Sequence, residues 1–137
     1  SPYTAPMPGK PRDPGGRPVF LSLSRIRFPV GAIASITHRI TGVILAAAVP
    51  GAIALVAYSA QAPYQFRQAA AWLDSVPGAL AVALVAAAAA HHLLAGVRVL
   101  IMDAGWGESL ATARRTAWGS LAGAGLAGLA ALIWMLR

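Results

Sequence analysis

The sequence predicts an all-α membrane protein with three transmembrane helices arranged up-down-up. Three observations carry that expectation. Of the 137 residues, 58% are hydrophobic and only 11% charged, whereas a soluble domain is about 25% charged. Charge-free stretches run from Ile40 to Phe66, from Ser75 to Val97 and from Thr116 to Leu136, and each reaches the roughly 20 residues that a helix needs to cross a bilayer. The basic residues also fall unevenly between the segments that join these stretches. Three spans occupy most of the chain, which excludes a Rossmann domain, a P-loop enzyme or an independent hydrolase. There are no cysteines, so disulfides, thiolate zinc sites, thiol-ligated iron–sulfur clusters and covalent haem attachment are excluded as well.

Residues 1–28 read as a basic arm rich in proline and glycine. Six of the ten prolines fall by Pro18, a composition that cannot form a regular element. Phe28-Pro29 marks the start of the first helix, since proline is tolerated in a first turn. That helix is expected over about residues 29–58, with a kink at Pro50-Gly51 inside it. Residues 62–74 are expected to form a loop. The second helix is expected over about residues 76–102, capped by Ser75. A second loop follows over 103–115, and the third helix over about 116–136. This last helix carries Gly119, Gly123, Ala124 and Gly128, which form either a close-packing face or part of a general richness in small residues. Three helices of such small residues make a poor monomer, so partner helices are expected.

Lysine and arginine counts set the orientation. The arm and the second loop share one side and carry Lys10, Arg12, Arg17, Arg25, Arg27, Arg114 and Arg115, against only Arg67 and Arg137 on the other. This asymmetry predicts a cytoplasmic N-terminus, or a matrix one in a mitochondrial protein. It also accounts for the net charge of +7 without nucleic acid.

Ionisable residues at membrane depth are functional candidates by default. This chain has His38, Arg39, His91, His92 and Arg98. At 1.5 Å per residue, His38 lies roughly 13 Å in from Pro29, and His92 roughly 15 Å in from Met102 on the returning helix. His38, Arg39 and His92 therefore converge from one side, and nothing comparable lies in the other half. Ser35, His38, Arg39 and Gly42 share one helical face. Gly96, Val99 and Asp103 share the His92 face, whereas His91 points about 100° away and shares its face with Arg98. A glycine one turn from a histidine leaves room for something flat. Neutral imidazole is a common haem ligand, and a noncovalent haem needs no cysteine. Spacing alone leaves haem ligation and interhelical hydrogen bonding both open, with proton relay or substrate binding behind them.

The segment RPVFLSLSRIRFPVGAIASITHRITGV, from Arg17 to Val43, resembles a signature of the cytochrome b subunit of succinate dehydrogenase. A second signature, HHLLAGVRVLIMD from His91 to Asp103, is similar to the family pattern H-x-x-x-G-[IV]-R-x-x-x-x-D through His92, Gly96, Val97, Arg98 and Asp103. The two segments lie at the expected separation, and the resemblance covers nearly the whole chain, in a form closer to bacterial than to mitochondrial members.

The resemblance implies that His92 is the axial ligand of one haem b, shared with a second small anchor subunit that supplies the other ligand. His91 falls where the family often has tyrosine and is not implied as a ligand. Ser35 and Arg39 are implied to line a ubiquinone pocket, and His38, Arg39 and Arg98 to lie toward the haem propionates. Asp103 serves proton delivery or caps its helix. One departure is Val99, where the family often has histidine, so a propionate contact must come from elsewhere. The implied protein is the anchor of a succinate:quinone oxidoreductase in the bacterial cytoplasmic (inner) membrane, or the mitochondrial inner membrane. Its partners would be a flavoprotein subunit, an iron–sulfur subunit, the second anchor subunit and membrane lipids. The anchor of a fumarate reductase, or a small transporter or assembly subunit, are the alternatives.

Overall fold

A computed structural model describes residues 28–137. The arm, with the five basic residues from Lys10 to Arg27, lies outside the described residues apart from Phe28. Four helices follow in order: α1 (Val30–Ser59), α2 (Pro63–Leu73), α3 (Val76–Asp103) and α4 (Leu110–Met135). α1, α3 and α4 are long and apolar enough to cross a membrane. The three-span architecture is the one expected. The 30 residues of α1 extend about 45 Å, more than the roughly 30 Å of a bilayer's hydrocarbon.

Two boundaries differ from expectation. The segment expected as a loop over 62–74 contains α2. Its sequence, PYQFRQAAAWL, places proline in the first turn and follows it with good helix formers. Its 11 residues cannot span a membrane, and its mix of Arg67, glutamines and exposed Tyr64, Phe66 and Trp72 suits a helix at the membrane surface. α4 begins at Leu110 rather than near residue 116, because Ser109 caps it, accepting from the Thr112 amide at 3.3 Å. Arg114 and Arg115 continue this helix, since a charged side chain is no obstacle to helical backbone.

α3 is the central element, packed against α4 most extensively and against α1 and α2. Its start is capped by Ser75, whose Oγ accepts from the Gly78 amide at 3.3 Å. Its end is a Schellman closure: the Gly105 amide donates to the Met102 carbonyl and the Trp106 amide to the Ile101 carbonyl, at 2.9 and 3.2 Å. Gly105 takes φ +84° there, which a side chain would resist.

The interior is made of small residues. Ala34, Ala79, Ala88, Ala95, Ala117 and Ser120 are buried, while Val43, Leu84, Leu126 and Trp134 face outward. That inverts the soluble pattern and is the arrangement of helices meeting through small side chains with bulky ones turned to lipid or to other helices. The small-residue face of α4 is used in part. Gly128 faces Ala87 and Gly123 faces Leu94, whereas Gly119 has nothing near it.

Candidate functional site

The histidines of the spanning helices gather where α3 meets α1. On α1, Ala34 and Thr41 are buried and His38 is half-buried, and this stripe faces α3. On α3, His91 is fully buried and His92 half-buried. The rings of His38 and His92 stack, with centroids 4.2 Å apart and planes 22° from parallel. Two glycines permit the approach. A Cβ on Gly42 would stand 3.1 Å from Cε1 of His92, and one on Gly96 would stand 3.5 Å from Nε2 of His38.

The surroundings of His92 favour one tautomer of the neutral ring. Nδ1 lies 3.2 Å from the His38 carbonyl oxygen, which can only accept, so Nδ1–H donates and Nε2 keeps its lone pair. Thr41 completes the arrangement: its hydroxyl donates to the same carbonyl at 2.9 Å, and its oxygen lies 3.4 Å from Nδ1 of His92. An imidazole whose Nδ1–H is held by a backbone carbonyl, with Nε2 free, is how a metal-binding histidine is oriented. A free, oriented imidazole nitrogen is a donor that fits a haem iron, which a single histidine of a chain can ligate without a cluster of ligands. Nε2 of His38 is buried without a partner, an orphaned polar atom beside the same ring.

His91 is committed elsewhere. Its Nδ1 lies 3.3 Å from the Ser120 carbonyl of α4, and its Nε2 lies 3.3 Å from the Ala34 carbonyl of α1. Neighbours in sequence thus face different helices, as the 100° step between them requires.

The remaining sequence-derived residues surround this cluster unevenly. Ser35 and Arg39 are exposed on the α1 face beside the stripe that meets α3. Arg98 turns to α4, its Nε donating to Thr116 Oγ1 at 3.0 Å and its Nη2 to the Ala113 carbonyl at 3.2 Å. The same Nη2 lies 3.9 Å from where a Cβ on Gly31 would stand, one turn before Ser35. Asp103 is exposed as the last residue of α3, and backbone groups rather than its carboxylate close that helix. Val99 is exposed.

Sequence reasoning missed Thr41. The available signal was its position three residues after His38, where a threonine hydroxyl reaches back to a helical carbonyl. It also grouped His38 with Arg39, whereas the ring of His38 turns to His92 and the side chain of Arg39 turns outward. A cavity of about 810 Å³ lies in the other half of the bundle between α1, α2 and α3. It is lined by apolar side chains such as Leu55, Val82 and Val85, with Tyr58 and Gln68 also on its wall. It contains none of the ionisable cluster.

The fold and the site define a class: a multi-span membrane protein with an oriented imidazole and an arginine at membrane depth. Comparison with known proteins narrows this. Residues 14–131 match the family model described as the succinate dehydrogenase/fumarate reductase transmembrane subunit. The succinate dehydrogenase cytochrome b556 subunit of Coxiella burnetii is 37% identical over 108 residues, covering 74% of this chain and 82% of that protein. The chain belongs to the succinate dehydrogenase/fumarate reductase transmembrane subunit family.

Proposed function

We propose that this chain is the haem b- and quinone-binding anchor of a succinate:ubiquinone oxidoreductase in the bacterial cytoplasmic membrane, N-terminus inside. The partners in this reading are a flavoprotein subunit that oxidises succinate, an iron–sulfur subunit that delivers electrons, and a second small anchor subunit. Its similarity to a cytochrome b556 subunit supports haem. The observation that carries the reading is His92, with Nδ1 on the His38 carbonyl and Nε2 free.

His92 would hold the haem through Nε2, and the other small anchor subunit would supply a second histidine. The haem, when bound, supplies a one-electron store beside the quinone. His38, through its unpartnered Nε2, and Arg39 and Arg98 as cations, would face the propionates. Ser35 and Arg39 would face the quinone head group. Reduction builds negative charge on the quinone oxygens, and a fixed guanidinium and a hydroxyl donor stabilise that charge as it develops. Asp103, exposed at the same end of the bundle, would exchange protons with solvent on that side.

The test is the dithionite-reduced spectrum of the assembled complex. Wild type should show a b-type α-band. His92→Ala should lose it or change its spin state, and His91→Ala should keep it. The reverse pattern would move the ligand to His91, and no band in wild type would favour a transporter or assembly role.

A further inference from the structure

The one large side chain buried completely among the described residues is His91, and the proposed electron-transfer roles do not use it. Its ring lies between backbone carbonyls of two other helices, Ala34 of α1 and Ser120 of α4, each at 3.3 Å. Both are acceptors only. A neutral imidazole has one N–H, so it donates to one carbonyl at a time while its other nitrogen faces the second. Ser120 adds no side-chain alternative, because its hydroxyl donates to the Ala117 carbonyl at 2.8 Å. From α3, His91 thus reaches a backbone carbonyl on each of the other two spanning helices, and the tautomer with Nε2–H donates to Ala34 of α1.

On α1, Ala34 and His38 lie one turn apart. His91 meets the carbonyl of the first and His92 the carbonyl of the second. The residues that follow them are Ser35 and Arg39, the two assigned to the quinone. Two neighbouring imidazoles on α3 therefore fix one turn of α1 both along its axis and in rotation. That turn carries the serine and the arginine on its outward side.

We propose that His91 is a positioning residue for the quinone site: by donating from Nε2 to the Ala34 carbonyl it holds the Ala34–Ser35 peptide of α1 to α3 and sets where Ser35 and Arg39 stand relative to His92. This rests on the quinone and haem assignments above. It differs from them in giving a role to a residue that touches neither group. The polar contact, rather than the ring's bulk, is the operative feature. A phenyl ring removes both nitrogens but is larger than the imidazole it replaces in this fully buried site, so the glutamine variant, which keeps an N–H donor without a ring, is needed to separate the lost hydrogen bond from the added bulk.

The experiment compares His91→Phe and His91→Gln in the assembled complex in native membranes. Quinone KM, the Kd of a head-group-competitive inhibitor and the reduced haem spectrum are measured on each. His91→Phe should keep the b-type α-band and dye-linked succinate oxidation. It should raise quinone KM and inhibitor Kd together by about fivefold, the scale of one lost hydrogen bond. His91→Gln, which keeps an N–H donor, should return both to near wild type. Wild-type KM and Kd in His91→Phe would overturn the inference, as would a Gln variant as impaired as the Phe variant. If His91→Phe fails to assemble, His91→Leu, which lacks a donor and is close to histidine in volume, takes its place: raised KM and Kd that His91→Gln restores support the role, and wild-type values overturn it. Loss of the α-band in His91→Phe with its retention in His92→Ala would overturn the haem assignment together with this one. Unchanged quinone activity in Arg39→Leu would instead refute the pocket assignment alone.

Discussion

Gly42 is where a single added methyl reaches the proposed iron ligand. Its Cβ would stand 3.1 Å from Cε1 and 3.6 Å from Nδ1 of His92. Ordinary contact begins near 3.4 Å, so the ring must yield by a few tenths of an ångström. It has little freedom to do so, with Nδ1 on the His38 carbonyl at 3.2 Å and the His38 ring stacked at 4.2 Å. Overpacking of this kind costs about 1–3 kcal/mol. Replacing a helical glycine by alanine returns about 1 kcal/mol. Gly42→Ala should therefore assemble, at a net loss of about 2 kcal/mol or less, while the ligand ring is displaced. Low-spin haem resonance in assembled complex would show the displacement as shifted g-values. Gly42→Leu should lose haem or turn it high-spin. Gly51→Ala on the same helix is the control, because nothing lies within 4 Å of its added Cβ. Full haem content with an unchanged spectrum in Gly42→Leu would refute the placement of His92 at the haem.

Three further outcomes are expected. Arg39→Leu should lower succinate–quinone activity by about 10²–10³-fold, the usual effect of removing an electrostatic donor, and spare succinate oxidation by a dye that takes electrons upstream; if both fall together, the residue serves assembly. Gly128→Ala should reduce the thermal stability of the complex more than Gly123→Ala. The added Cβ at Gly128 meets Ala87 Cβ at 3.0 Å and the Ala83 carbonyl at 3.3 Å, whereas the shorter 2.5 Å contact at Gly123 is with Cδ1 of Leu94, the end of a side chain that can turn away. Glu108→Cys, in the segment between α3 and α4, should react with an impermeant thiol reagent only when the cytoplasmic face is exposed; labelling of intact cells would reverse the orientation.

The three spans were legible because charge is excluded from hydrocarbon, so each span appears as a charge-free run. The same reasoning hides α2 and the first turns of α4. Both carry arginines, and their helicity comes from a proline start or a serine cap followed by good helix formers. Gly119 shows the opposite limit. Its spacing to Gly123 suits close packing, yet only Gly123 of that pair meets α3. Which side of a glycine-rich helix turns inward depends on the partner helix, and the sequence of one helix does not contain that information.

The site was legible to the degree that helical periodicity decides it. The separation of His91 from His92 follows from a 100° step, and the structure places their rings against different carbonyls. Periodicity does not say which of two rings is free to bind a metal, because that depends on the atoms each ring meets. His91 meets a carbonyl with both nitrogens, whereas His92 meets one with Nδ1 alone. The identity of those acceptors is a property of backbone from another helix, invisible in any motif. Thr41 was overlooked for the same reason: its hydroxyl serves a carbonyl that His92 also uses. The cluster is thus organised around the His38 carbonyl oxygen as much as around any side chain. Thr41→Val, which removes only the hydroxyl, leaves that oxygen to the His92 Nδ1–H. The haem should then remain bound with an altered reduction potential rather than be lost. An unchanged potential in a redox titration of that variant would show that Thr41 fills space without tuning the ligand.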